Sequence, residues 1–313
     1  MPAARVRSRA RSLVAAVGRR SIGRRAGRTG PDDVLVTADG ERLSARHDPP
    51  SGGGDPALAF VVAHGFTGSW RRPDVAAVVA LLQDSGGVVS FDFRGHGTST
   101  GRCTVGDLEV LDLATAVAHA RGLGYRRVVT VGWSMGAAVA VLHAAGTLRT
   151  AWSAAAGLDG GAGALDALDD RVDAVVAVSG PGRWHFRGSA PMRRAHVGFE
   201  TRFGRAVVEA VFGARLDGGG WDPGPEPPDA VAGRIAPTPL LVVHGDADQW
   251  FGTDHARWVA RAAGPTATLW VEPGFGHAEA SARPDLVRRI AAWAQAAAGE
   301  GSGAGPGSAR MPA

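Results

Sequence analysis

Short apolar runs rich in β-branched residues alternate along most of this chain with longer stretches whose apolar positions recur three or four residues apart. The runs fall at residues 58–63, 88–92, 127–131, 174–178, 240–244 and 266–271. Their continuous rather than alternating hydrophobicity predicts strands covered on both faces. The stretches between them predict helices near 74–83, 107–121, 136–145, 254–263 and 284–297. The second of these carries a start signal, Thr104 with Asp107 three residues on. Ahead of the first run, residues 33–37 and 41–47 alternate around Asp39-Gly40 and read as a hairpin, followed by a flexible Ser51-Gly52-Gly53-Gly54 link. Eight strand candidates result. Successive strand and helix units of this kind require a mostly parallel sheet flanked by helices, an α/β fold. No unit of 20–50 residues recurs, which excludes a repeat architecture.

Two segments interrupt the rhythm. Residues 147–171, rich in Ala, Gly and Asp, are expected to be a mobile surface loop. Residues 181–235 are aromatic, with Trp184, Phe186, Phe199, Phe203, Phe212 and Trp221, and hold a helical stripe of Phe203, Val207, Val208, Val211 and Phe212. An insertion this long between two strands is expected to form a lid over the strand ends.

Chemistry enters at Gly132-Trp133-Ser134-Met135-Gly136, a GxSxG between the strand run 127–131 and a helix rich in Ala, Val and Leu. A sharp strand-to-helix turn there exposes the serine hydroxyl, and its flanking glycines avoid collision with the neighbouring strand and helix. An activated serine needs a base, a group that orients the base, and donors for an oxyanion. Downstream, Leu240-Leu241-Val242-Val243-His244-Gly245-Asp246-Ala247-Asp248 supplies a strand and turn with two carboxylates, and Gly274-Phe275-Gly276-His277 supplies an imidazole. Asp246 and Asp248 both stand as the orienting acid on spacing alone. His64, His244 and His96 lie in turns after strands, where histidines are more often structural, and Asp92 and Arg94 are expected to tie strand ends together.

These motifs in this order resemble the α/β-hydrolase superfamily of serine hydrolases, esterases and lipases among them, over about residues 33–297. Four stretches carry the resemblance: His64-Gly65-Phe66-Thr67-Gly68, the run from Asp92 through Arg94, Gly95, His96 and Gly97 to Ser99, the GxSxG, and the two late loops. The resemblance implies an α/β-hydrolase fold with a nucleophile elbow at Ser134, His277 as general base and then acid, and Asp248 rather than Asp246 as the acid. It implies an oxyanion hole from the backbone N–H groups of Phe66 and Met135, and hydrolysis of carboxylic esters through an acyl-enzyme. Thioester, lipid or acyl-transfer chemistry uses the same triad, and a non-catalytic scaffold is the alternative of a different class. A serine at the elbow argues against dehalogenase and epoxide hydrolase chemistry, which uses a carboxylate there. One departure stands out: Gln249-Trp250-Phe251 follows the acid where relatives often continue with an aliphatic residue and proline.

Charge changes this picture less than its total implies. The 313 residues carry a formal net charge of +4, yet residues 1–30 hold nine Arg and no acid, leaving residues 31–313 with 25 basic against 30 acidic side chains. The basicity therefore belongs to an arm, expected to be disordered, and nucleic acid is not an expected partner of the acidic body. The arm's one apolar stretch, Leu13-Val14-Ala15-Ala16-Val17, is too short for a signal core or a span, so a cytoplasmic protein is expected, with membrane contact through the arm as the sharper alternative. The chain divides into the arm at 1–30, the hydrolase domain at 31–298 and a Gly/Ser/Pro-rich tail at 299–313, also expected to be disordered. Cys103 is the single cysteine, which excludes an intrachain disulfide and a cysteine cluster, and an incidental thiol is the expectation. No metal-ligand spacing and no dinucleotide fingerprint occurs, so neither metal nor cofactor is expected. The Arg residues of 181–235, namely Arg183, Arg187, Arg193, Arg194, Arg202 and Arg205, read as a solvated face or as recognition of an anionic acyl group. The expected partner is a small-molecule ester, and nothing in the sequence addresses oligomeric state.

Overall fold

A computed structural model describes residues 33–148, 168–221 and 224–300. The arm at 1–30, most of the 147–171 loop and nearly all of the tail lie outside the described residues. Eight strands, β1 (Asp33–Val36), β2 (Arg42–Asp48), β3 (Asp55–Ala63), β4 (Gly86–Phe91), β5 (Arg127–Trp133), β6 (Ala174–Val178), β7 (Leu240–Gly245) and β8 (Ala267–Glu272), form one sheet in the order β1-β2-β4-β3-β5-β6-β7-β8. Only the β1–β2 hairpin and the β2–β4 pairing are antiparallel. From β4 to β8 every neighbour runs parallel, as the βα alternation requires.

Both faces of the sheet are covered, which accounts for the unbroken hydrophobic runs. In β3, Ala59, Val61 and Ala63 enter one core layer while Leu58, Phe60 and Val62 enter the other, the two-residue period of a strand working on both sides. The first layer packs under helices α2 (Glu109–Gly122), α3 (Met135–Ala144) and, further on, α7 (Thr253–Ala263). The second packs under α1 (Pro73–Leu82) and α8 (Pro284–Glu300). Each fully buried Val, Leu or Phe contributes about 1.5–3 kcal/mol to this sandwich. No helix among the described residues is long and apolar enough to cross a membrane.

Three details depart from the expected elements. Helix α2 begins at Glu109, two residues later than Asp107, because the start signal is assembled differently. The Glu109 carboxylate accepts the N–H groups of Thr104 and Gly106 at 2.7 Å each, while Thr104 Oγ1 accepts from Leu108 N–H at 2.8 Å. The segment 181–235 contains two longer helices, α4 (Ala190–Glu200) and α5 (Arg202–Phe212), followed by the short α6 (Pro228–Val231). Ser189 caps α4 by accepting from Met192 N–H, and Thr201 caps α5 by accepting from Gly204 N–H. Finally, the stripe expected on α5 is only partly inward: Val208 is buried, but Phe203 is 68% exposed and Val211 47%.

Candidate active site

The strand ends converge on one spot. In a parallel sheet the loops after the strands share one edge, and Ser134 follows β5, Asp248 follows β7 and His277 follows β8. Ser134 occupies φ 51°, ψ −112°, a left-handed backbone that a side chain adopts only at a cost of about 1–3 kcal/mol. The elbow is tight enough to need its glycines. A Cβ on Gly132 would lie 2.2 Å from the Gly136 carbonyl oxygen, and one on Gly136 would lie 2.2 Å from that of Ala63. The Ser134 N–H donates to Val178 O at 2.9 Å, fixing the turn to β6.

His277 Nε2 stands 2.9 Å from Ser134 Oγ, and His277 Nδ1 stands 2.8 Å from Asp248 Oδ2. A carboxylate can only accept, so Nδ1 is the protonated nitrogen and Nε2 is left to take the serine proton. The Asp248 side chain is wholly buried, whereas His277 keeps 20% of its side chain exposed. The other Asp248 oxygen, Oδ1, accepts from Trp250 N–H at 2.8 Å and Phe251 N–H at 3.2 Å. The departure at Gln249-Trp250-Phe251 therefore has a local function: its backbone holds the carboxylate, and the rings of Trp250 and Phe251 pack 5.6 and 5.8 Å from the imidazole. Asp246, the rival acid, turns away; its Oδ1 accepts from Gly274 N–H at 2.7 Å and ties the β7 loop to the β8 loop.

The backbone N–H groups of Phe66 and Met135 have no hydrogen-bond partner among the described residues. Met135 opens helix α3, where the N-terminal dipole favours negative charge. Three neighbours shape the Phe66 loop. His64 donates from Nδ1 to Gly65 O at 2.7 Å and accepts Phe93 N–H at Nε2 at 3.1 Å. His96 accepts Thr67 N–H at Nε2 at 3.4 Å and donates from Nδ1 to Arg94 O at 3.0 Å. Burial pushes His64 down to about 4 and His96 to about 3, so both remain neutral. The third neighbour is Glu279, whose Oε1 accepts Gly65 N–H at 2.7 Å and whose acidity burial weakens. Sequence reasoning missed Glu279, although its position two residues after the candidate base places it beside the same loop. Thr67 and Ala278 also hold positive φ, 63° and 52°, so strained backbone brackets the site on three loops.

Arg94 ties elements together, its guanidinium bonding Asp112 on α2 at 2.7 Å and Asp39 of the hairpin at 2.8 Å. Asp92 instead accepts Trp70 N–H at 2.8 Å. His244 donates from Nε2 to Phe251 O at 3.0 Å, which is structural. Cys103 is buried, and that burial pushes its thiol well above the ordinary range, which disfavours the thiolate a nucleophile needs. Among the arginines, Arg183 pairs with Asp229, Arg187 with Glu200, Arg193 donates to the carbonyls of Arg187 and Gly188, and Arg205 donates to Phe199 O. Arg194 and Arg202 are exposed.

Above Ser134, Met135 and His277 opens a cavity of about 1390 Å³, roofed by residues of α4, α5 and the flanking loops.

This combination of sheet order, elbow and strand-end loops has a sequence counterpart: residues 60–290 match the model of the alpha/beta hydrolase family. The chain belongs to that family. No curated protein matches it. Among solved structures, an esterase of Pyrococcus furiosus is similar at 20% identity and a TM-score of 0.56, covering 87% of this chain and 90% of its own. A serine hydrolase of Xanthomonas campestris described as lacking a lid aligns at 19% identity and 0.53, covering 88% and 96%. Est1E of Butyrivibrio proteoclasticus, solved with ferulic acid, aligns at 19% and 0.52, covering 84% and 99%. At these identities the likeness is one of fold.

Proposed function

We propose that this protein hydrolyses carboxylic esters of small molecules through Ser134, His277 and Asp248. His277 Nε2 takes the proton of Ser134 Oγ as that oxygen attacks the ester carbon. The resulting oxyanion is held by the N–H groups of Phe66 and Met135. Collapse breaks the carbon–alkoxy bond, and His277 delivers its proton to the departing alcohol. Water, deprotonated by the same imidazole, then attacks the acyl-serine, and breakage of the ester bond returns the proton to Ser134 as the acid leaves. Asp248 holds the imidazole and stabilises its cationic form. Residues 181–221 act as the lid, lining the space over Ser134 that holds the acyl group while water reaches its carbonyl carbon.

The observation that carries this reading is the unbroken line of hydrogen bonds from Ser134 Oγ through His277 to Asp248. The test is turnover of p-nitrophenyl butyrate by wild type and Ser134→Ala. The reading expects at least a thousandfold loss of kcat in the variant, with near-ultraviolet circular dichroism unchanged. Equal rates would show that turnover does not depend on Ser134 and would overturn the mechanism, and no turnover by either protein would leave a binding scaffold as the better account.

A further inference from the structure

Resting on the ester-hydrolase reading, we propose that the substrate is an uncharged ester bearing a large apolar group, a chain of about ten carbons or a fused ring system of that size, seated in the cavity beside Ser134. The cavity, about 1390 Å³, exceeds the roughly 300–1,000 Å³ of most small-molecule sites, far more than a short acyl group fills. Its walls are aromatic: Phe66 meets Phe199 edge to face at 4.9 Å, and Trp184 leans on Trp221 at 5.2 Å. Phe203 and Val197 also line it while 68% and 51% exposed, an apolar mouth that an apolar guest would take out of water.

Most of the polar groups in the wall are committed elsewhere, the exposed Arg194 excepted. Trp221 Nε1 donates to Thr104 O at 2.6 Å and Trp184 Nε1 to Glu226 O at 3.0 Å, so neither indole N–H is free to bind a guest, while both residues line the space. Arg205 donates to Phe199 O at 3.0 Å, and Arg183 pairs with Asp229 while stacking on Trp258 at 4.1 Å. His196 is bonded to Glu200 and to Phe186 O at 2.9 and 3.2 Å. Away from exposed Arg194, a charged guest would have to break such a pair or lie unpaired against hydrocarbon, either of which selects against it.

Two series test the size preference, p-nitrophenyl esters of acids from C2 to C12 and acetates of alcohols over the same range. Full burial gives about fourfold per methylene, and half that factor suits an open wall, so kcat/KM should rise about sixtyfold from C4 to C10 in at least one series. A maximum at C4 or below in both series would overturn the proposal. Charge is tested without turnover, by titrating Ser134→Ala with methyl decanoate and with monomethyl sebacate, the same chain ending in a carboxylate, followed by tryptophan fluorescence. Methyl decanoate should bind at least tenfold more tightly; equal or tighter binding of the carboxylate would overturn the proposal. If wild type turned over no ester while methyl decanoate still bound preferentially, the hydrolase reading would fall and the apolar site would stand.

Discussion

Replacing Asp248 by Asn separates the two candidate acids and probes the electrostatics of the imidazole. Asp248 Oδ2 faces His277 Nδ1 at 2.8 Å from a wholly buried side chain. With charge centres about 4 Å apart and an effective dielectric near 20, the carboxylate stabilises a developing imidazolium by about 4 kcal/mol, roughly a thousandfold in rate. Geometry adds a second penalty. Oδ1 is committed to the N–H groups of Trp250 and Phe251, so the single oxygen of the new amide will serve them and its NH2 will face the ring. The imidazole must then accept at Nδ1 and carry its proton on Nε2, which leaves no lone pair for the serine proton. The expected result for Asp248→Asn is a kcat for p-nitrophenyl butyrate at pH 8 lower by a factor of 10³–10⁴, with KM moved less than about threefold. Asp246→Asn, which keeps an acceptor for Gly274 N–H, should stay within about threefold of wild type in kcat. Retention of more than a tenth of kcat by Asp248→Asn, or an equal loss in Asp246→Asn, would rule out Asp248 as the group that orients and charges the imidazole.

Glu279→Ala removes the acceptor of Gly65 N–H and should lower kcat at least about tenfold, whereas Glu279→Gln keeps an acceptor and should restore most of it; faster amide exchange at residues 65–67 in the alanine variant alone would accompany this, and equal effects of the two variants would count against the role. Gly136→Ala would set a Cβ 2.2 Å from Ala63 O and 2.8 Å from His64 O, so the elbow must open; a loss of about a hundredfold in kcat is expected from steady-state kinetics, and a wild-type rate would show the turn to be looser than described. His96 is held neutral with its pKa lowered to about 3, below the 6.5 of an unfolded chain, so the unfolded state binds the extra proton as pH falls. Its contribution to stability is therefore complete above about pH 6.5 and is lost on acidification. In urea unfolding between pH 6.5 and 4, wild type should lose about 1.4 kcal/mol per pH unit more than His96→Gln, and parallel slopes would contradict this.

What the sequence disclosed and what it hid follow from the range of the interactions. The elbow was legible because strand, glycines, serine and helix are contiguous, and the strands because burial on both faces leaves no polar residue to interrupt a run such as 58–63. The choice between Asp246 and Asp248 was not legible in spacing, since both lie in one turn and only the direction of that turn sends one to His277 and the other to Gly274. Glu279 was hidden because its partner, Gly65, is 214 residues away. Helix α4 was passed over although Ser189 and the proline two residues on mark its start; its apolar stripe is weak because His196 and Gly198, rather than large hydrophobics, are its buried residues. The exposure of Phe203 reflects a face turned toward a cavity mouth rather than toward core, a distinction that periodicity does not carry.

Every step of the proposed reaction requires Ser134 to be an activated nucleophile. Treating the full chain with a fluorophosphonate probe and mapping the adduct by peptide mass spectrometry tests this directly. One phosphonyl group is expected, on Ser134, with labelling abolished in Ser134→Ala and slowed in Asp248→Asn. An unlabelled folded protein, or an adduct on another residue that persists in Ser134→Ala, would contradict that role.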